Sequence, residues 1–231
     1  MYRGRIITER EVIFSASGPN FCQLVMDIST NEETKVRSQL HKSFKAVKNC
    51  LSTWKEALAA CQQPLDQVEN LCEQHQCCSA ANIEQSGVIK PFPDIKMRLL
   101  YKIDIELEEQ MSRINVEMKK LDNCCERIGK HCHYSMKSYQ ENSPYISLDK
   151  VLEQTPTCPA ISDMLEWLQQ IERLVFQQYH CKKYLLEMFS PKNKDGSENL
   201  KNTWSLGDQE LINTVEEYLS YTSFFLEEKI T

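Results

Sequence analysis

The side chains best equipped for chemistry are the cysteines and histidines, eleven and five of them in 231 residues. Cys124, Cys125, His131, Cys132 and His133 crowd into one short stretch, and Cys72, His75, Cys77 and Cys78 into another. Both would suggest zinc, which needs ligand atoms at about 2.0–2.3 Å around one point. On a helix, however, Cys125 and Cys132 stand two turns apart, roughly 10 Å along the axis, too far to share an ion. Cys72 and His75 do share a face at i, i+3, but the paired C-x-x-C knuckles of zinc modules are absent. His180 and Cys181 are neighbours, and neighbours on a helix point about 100° apart, so they form no nucleophile–base pair. The carboxylates of IDIELEEQ (103–110) alternate with apolar positions and read as a helix flank. No G-x-x-x-x-G-K or G-x-G-x-x-G occurs, and six glycines leave little loop to wrap a phosphate. The expectation is therefore a protein with no catalytic residue, no cofactor and no metal, its thiols reduced.

Chemistry of contact is the alternative, and residues 163–189, DMLEWLQQIERLVFQQYHCKKYLLEMF, offer it. Neither Gly nor Pro interrupts them. On a helix, Met164, Trp167, Leu168, Ile171, Val175 and Tyr179 form one stripe, continued by Leu174, Leu185, Leu186 and Phe189, with Glu166, Gln169, Gln170, Arg173, Gln177 and Glu187 opposite. Trp167, Leu168 and Ile171 are the expected anchors. Leu165 and Phe176, eleven residues apart and so on one side, form a second edge. Together Leu165, Trp167, Leu168, Ile171 and Phe176 are the candidate partner-binding residues.

The elements that must position this helix are helical too. Phe44, Val47, Leu51, Trp54, Leu58, Cys61, Leu65, Val68 and Cys72 alternate by three and four, a heptad seam. Pro64 within it predicts a kink or short break near Gln62–Pro64. Asn82–Pro93 reads as a loop and Asp94 as an N-cap. A second seam runs Leu100, Ile103, Leu107, Met111, Ile114, Met118, Leu121, Cys125, Ile128, Cys132, with a stutter around Leu107 and Gly129 as its weak point. A short helix is expected over Ser147–Gln154, with Pro159 in the first turn of the 163–189 helix. Ser190–Gly207 reads as a polar loop from which Trp204 docks back, and Asp208 as the cap of a last helix with Leu211, Val215, Tyr218, Leu219, Phe225 and Leu226 inward. Residues 1–34 share neither seam and read as a disordered extension, leaving 35–231 as one helical domain.

Composition agrees: few Gly and Pro mean few turns. The fold class expected is all-α, a helical bundle with long, partly coiled-coil helices. A net charge of −6 does not describe an autonomous nucleic-acid binder. The basic residues Lys96, Arg98, Lys102, Lys119, Lys120, Arg127 and Lys130 read as a solvated flank. In the N-terminal stretch MYRGRIITEREVIF, Arg10 and Glu11 interrupt the apolar run that a secretory signal needs, and the acidic Glu9 and Glu11 argue against a mitochondrial transit peptide. Cytoplasmic and nuclear residence is expected.

Several strings carry a family resemblance. DMLEWLQQIER followed by KKYLL, LAACQQPL after Trp54, FPD at Phe92–Asp94 and FFLEE at 224–228 stand in the order found in the AIRIM family, helical ribosome-maturation factors. The resemblance runs from about residue 38 to about 228 and is weaker over LVFQQYHC. Where the family has Ser before the Pro that enters the 163–189 helix, this chain has Cys158. The resemblance implies a non-enzymatic adaptor that docks on type-II AAA+ ATPase subunits in large-ribosomal-subunit maturation. It also implies a small helical companion of the cyclin-dependent-kinase-interacting type, release of shuttling maturation factors, and a link to replisome turnover. The rivals are a self-associating coiled-coil scaffold and a helical hydrolase with a cysteine or zinc centre.

Overall fold

The computed structural model describes residues 19–81, 94–190 and 200–227, with backbone alone for 19–28. All regular structure in these residues is helical. Helix α1 (Pro19–Ala80) has 62 residues and α2 (Ile95–Asn142) has 48, roughly 90 and 70 Å at 1.5 Å per residue. A 3₁₀ turn (Ser143–Tyr145), α3 (Leu148–Leu152), α4 (Ile161–Met188), α5 (Asp208–Tyr221) and α6 (Ser223–Glu227) follow, with a helical turn at 200–204 before α5.

Helices α1 and α2 form an antiparallel pair along which the register holds: Cys78 meets Lys96, His75 meets Asp104, Cys50 meets Cys124 and Ser43 meets Ser135. The α1 seam is buried as its spacing predicts, except that Leu58 is only half-buried and Ala57 takes the inner place. Ser43 and Ser135 share a hydroxyl hydrogen bond of 2.8 Å inside the pair, and Ser43 Oγ also donates to the His131 carbonyl. A buried polar pair of this kind penalises any slip of one helix along the other.

Four expectations need correction. Residues 19–34 are helical, continuing α1 toward its N-terminus; residues 1–18, and with them the rest of the proposed extension, lie outside the described residues. Helix α1 runs through Pro64 without interruption, because the apolar seam stays in phase on both sides and packing against α2 outweighs one lost hydrogen bond. On α2, Gln110 is buried and Met111 only half-buried, and Cys124 rather than Cys125 faces α1. The cause is that α2 has two neighbours: Cys124 Sγ donates to the Cys50 carbonyl at 3.6 Å, and Cys125 Sγ to the Val175 carbonyl of α4 at 3.7 Å. The expected caps also differ. Asp94 holds the N-cap place but turns its carboxylate to Arg98; Gly207, in left-handed backbone (φ 81°), precedes Asp208; Ala160 is the N-cap of α4, which leaves Pro159 before the helix rather than in its first turn.

The weak point expected at Gly129 does not interrupt α2; a Cβ there would come within 3.2 Å of Glu172 Oε1, so glycine serves the close approach of α4. Two other expectations hold. Ser147 caps α3 by accepting from the Lys150 amide, and Trp204 is buried. The loop expected over Asn82–Pro93 lies outside the described residues.

Helix α4 lies on α2 and α1, and α5 closes the remaining side. All four helices converge on Trp54, whose indole meets Ile128 of α2, Ile171 and Val175 of α4 and Val215 of α5 around a void of only about 10 Å³. At α6 the chain folds back on α1: the Phe225 ring is edge-on to His41 at 5.6 Å, and His41 Nε2 lies 3.2 Å from the Leu226 carbonyl.

Candidate partner-binding surface

Helix α4 was expected to present its anchors and its second edge together. Leu168 and Ile171 are core residues, with Met164 and Val175 beside them. Leu165 is 7% exposed and belongs to the same core, whereas Phe176 is 59% exposed. The two do point the same way on the helix, but the neighbours of α4 change along its length. Near Leu165 the C-terminal part of α2 lies close, where Gln169 touches Met136 across 3.7 Å, and α3 also packs on α4. Leu165 is therefore core, a correction to its reading as part of a docking edge.

Phe176 begins an open stripe instead. Its ring lies against His180 at 4.1 Å, and Tyr184 and Met188, 60% and 64% exposed, follow at four-residue steps. Beside it a cleft of about 520 Å³ opens between α2 and α4, walled by Val116, Tyr179 and Leu186 and edged by Lys119, Asp122, Lys183 and Glu187. Burial, reinforced by the Asp122 charge, pushes the Tyr179 phenol up to about 12, so it stays a neutral hydrogen-bonding group at any physiological pH. A second open stripe, Met97, Tyr101 and Ile105, runs along the first turns of α2. Sequence reasoning passed over it, although its i, i+4, i+8 spacing beside the core seam was the available signal.

Trp167 occupies a third setting. It is half-buried, stacked on Tyr218 of α5 with centroids 5.3 Å apart and planes 11° apart, and tilted 40° to Tyr221 at 5.4 Å. It pins α5 to α4 rather than anchoring the core.

The most consequential residue the sequence reading missed is Lys182. It is 1% exposed, with its ammonium 2.8 and 2.9 Å from the two carboxylate oxygens of Asp208, bonded to the Trp204 carbonyl and 5.2 Å from the Trp204 ring. Burial pushes the Asp208 carboxyl up, more than Lys182 draws it down. The signal was positional: Lys182 stands seven and fourteen residues beyond Val175 and Leu168, on the apolar stripe itself. Any side chain at Gly207 would run into the Gln178 amide, which keeps the turn into α5 tight against α4.

The cysteine clusters do not assemble into a centre. Among the described residues no three of His, Cys, Asp and Glu converge on one point. His75 Nε2 lies 3.6 Å from Asp104 Oδ1 across the helix pair. Burial foremost pushes the thiols of Cys61, Cys125 and Cys132 up to about 12, while Cys77 and Cys181 are exposed. Among the described cysteines, alkylation at pH 8 followed by mass spectrometry should modify Cys77 and Cys181 first and leave Cys61 and Cys132 intact until denaturant is added. Labelling of Cys61 at the rate of Cys181 would contradict this packing.

Together these features define a class: an all-helical protein on a long antiparallel helix pair, whose open apolar stripes are suited to docking other proteins. The chain belongs to the family described as "Ribosome biogenesis protein C1orf109-like", whose model matches residues 34–224. It is 31% identical over 198 residues to the human AFG2-interacting ribosome maturation factor, covering 84% of this chain and 96% of that protein. The mouse protein of that name is 29% identical over 84% of this chain and 89% of its own length. The Xenopus tropicalis protein, also so named, is 29% identical over 66% of this chain and 74% of its own. The AIRIM resemblance read from the sequence is thus the family itself.

Proposed function

We propose that the chain is a non-enzymatic adaptor in ribosome maturation that docks on a type-II AAA+ ATPase. The observation that carries this is the family match across nearly the whole helical region, with relatives whose name records an interaction with AFG2. The lack of a phosphate-binding loop in the sequence and the open apolar stripes along its helices support an adaptor over a catalyst. In this reading the protein holds the ATPase to a maturing large subunit, where shuttling maturation factors are released and recycled. It works with a small helical companion of the cyclin-dependent-kinase-interacting type, in cytoplasm and nucleus, and extends to replisome protein turnover.

The stripe Phe176–His180–Tyr184–Met188 is the surface we assign to the ATPase. Full-length Phe176→Asp/Tyr184→Asp protein, tagged and expressed in cells, should capture the ATPase at least tenfold less than wild type, because a charge would be stranded in a desolvated contact. Its melting temperature should stay within about 2 °C of wild type, since both side chains are exposed. Leu165→Asp should instead melt early, as a buried core position requires. Undiminished capture by the double variant would remove the stripe from the interface, and no ATPase captured by wild type would remove the adaptor reading.

A further inference from the structure

The groove beside Trp167 is separate from the stripe assigned above, and its chemistry is different. It holds about 390 Å³, at the lower end of the range for small-ligand pockets. One wall is aromatic: Trp167 of α4, with Tyr221 and Phe224 from the two sides of the α5–α6 break. The facing wall is Pro156 and Pro159, from the connection between α3 and α4. That wall is built in advance. Thr155 and Cys158 exchange both backbone hydrogen bonds (2.9 and 3.3 Å), and the Cys158 amide also donates to Thr155 Oγ1. Arg37 of α1 fastens it from behind, donating to Cys158 Sγ and the Pro159 carbonyl. The aromatic wall is equally fixed, by the Trp167–Tyr218 stack and by the Tyr221 hydroxyl, which donates to Glu217 Oε1 at 2.5 Å.

Charge separates this groove from an ordinary apolar dent. Glu217 holds the hydroxyl of Tyr221, a residue of the aromatic wall, and Glu166 precedes Trp167 on α4; neither carboxylate itself lines the groove. Burial first, then the charges of Glu217 and Glu166, lift the Tyr218 phenol above its ordinary value. Neither carboxylate is in an ion pair with Lys, Arg or His among the described residues. The cations nearby are mostly engaged: Arg37 with Glu33 at 2.8 Å and Lys150 with Glu153 at 2.6 Å. Arg173, which also faces Tyr218, trims the field without cancelling both acids.

A pre-formed slot of aromatic faces, one of whose tyrosines bonds a carboxylate that is in no ion pair among the described residues, suits a cation carried on an apolar stem. We propose that this groove binds an arginine or lysine side chain presented on an extended segment of a basic partner protein. The aromatic faces take the stem and the cation, Glu217 and Glu166 supply the opposite charge, and the proline wall gives the neighbouring backbone a rigid surface at little entropic cost. The proposal does not depend on the ATPase reading, since it uses another surface.

The test is calorimetric titration of the full-length chain with an octapeptide of alternating arginine and glycine, against the same peptide with citrulline for arginine. The arginine peptide should bind, its affinity falling with added salt, and the citrulline peptide should bind at least tenfold more weakly. Phe224→Ala, which removes an exposed ring, and Tyr221→Ala should each weaken binding at least fivefold. Glu217→Gln should weaken it about threefold and flatten its salt dependence. Phe224→Ala and Glu217→Gln should melt as wild type and Tyr221→Ala slightly earlier, because its ring packs on Trp167; all three should capture the ATPase as wild type does, which separates loss of this site from loss of the fold or of the Phe176 stripe. Equal binding of the two peptides would overturn the cation's role. Arginine-peptide binding unaffected by Phe224→Ala and Tyr221→Ala would place it elsewhere, and no binding at all would dismiss the proposal.

Discussion

Asp208→Ala should cost about 3–5 kcal/mol, because it leaves the Lys182 ammonium buried without its counter-charge. Few single substitutions outside the apolar core should do as much. Lys182 holds three things at once: the Asp208 carboxylate at the start of α5, the Trp204 carbonyl and the face of the Trp204 ring. Its loss should free α5 and the 200–204 turn from α4 before the long helix pair opens. Urea unfolding should then show the fluorescence of Trp204 changing ahead of the helical signal. The paired replacement Lys182→Met/Asp208→Leu should recover most of the lost stability, since apolar isosteres spare the desolvation that both charges undergo on folding. A double variant as unstable as Asp208→Ala would mean that the ion pair contributes net stability beyond its partners' burial. An Asp208→Ala protein as stable as wild type would mean that Lys182 reaches water.

Trp54→Ala should cost a similar amount, about 3–5 kcal/mol, by emptying the point where α1, α2, α4 and α5 meet. The void there is no larger than the lower limit for one water, so the surroundings have little slack to collapse into the space an indole leaves. Trp54→Phe should cost much less. The indole N–H has no hydrogen-bond partner among the described residues, and phenylalanine removes that buried donor along with part of the volume. Trp167→Ala should be milder than Trp54→Ala, because its indole is only half-buried against Tyr218 and Tyr221. Chemical denaturation of the three variants ranks them, and a Trp167 variant less stable than the Trp54 variant would reverse the assignment of core and rim.

That reversal of tryptophans illustrates what periodicity conveys and what it does not. The α1 seam, the α2 seam and the α4 stripe were legible because burial repeats at the helical period. Periodicity gives an azimuth on one helix, but burial depends on what lies opposite at that height. Leu165 and Phe176 have nearly the same azimuth and opposite fates, and Trp167 sits on the stripe yet at the margin of the bundle. Where two helices pack on α2, adjacent cysteines each face a neighbour, so choosing Cys125 over Cys124 for the α1 side was a choice between two inward positions. Lys182 was passed over for another reason, despite its place on the stripe. A lysine reads as polar by type, and only the arrival of Asp208, twenty-six positions later, makes its burial tolerable. Pro64 misled because a local rule was applied to a helix whose fate is decided by its long partner.

The unbroken length of α2 has one more consequence. The Met97 stripe lies near one end, and Met136, which Gln169 touches from α4, lies near the other. Thirty-nine residues of continuous helix separate them, about 60 Å at 1.5 Å per residue. Since α1 backs that helix through most of its course, the separation cannot shorten by bending at a joint. A molecule seated at the tip and another seated beside Trp167 would be kept apart by a strut of fixed length, and inserting or deleting two heptads in both helices would change their spacing by about 20 Å while leaving each seat as it was.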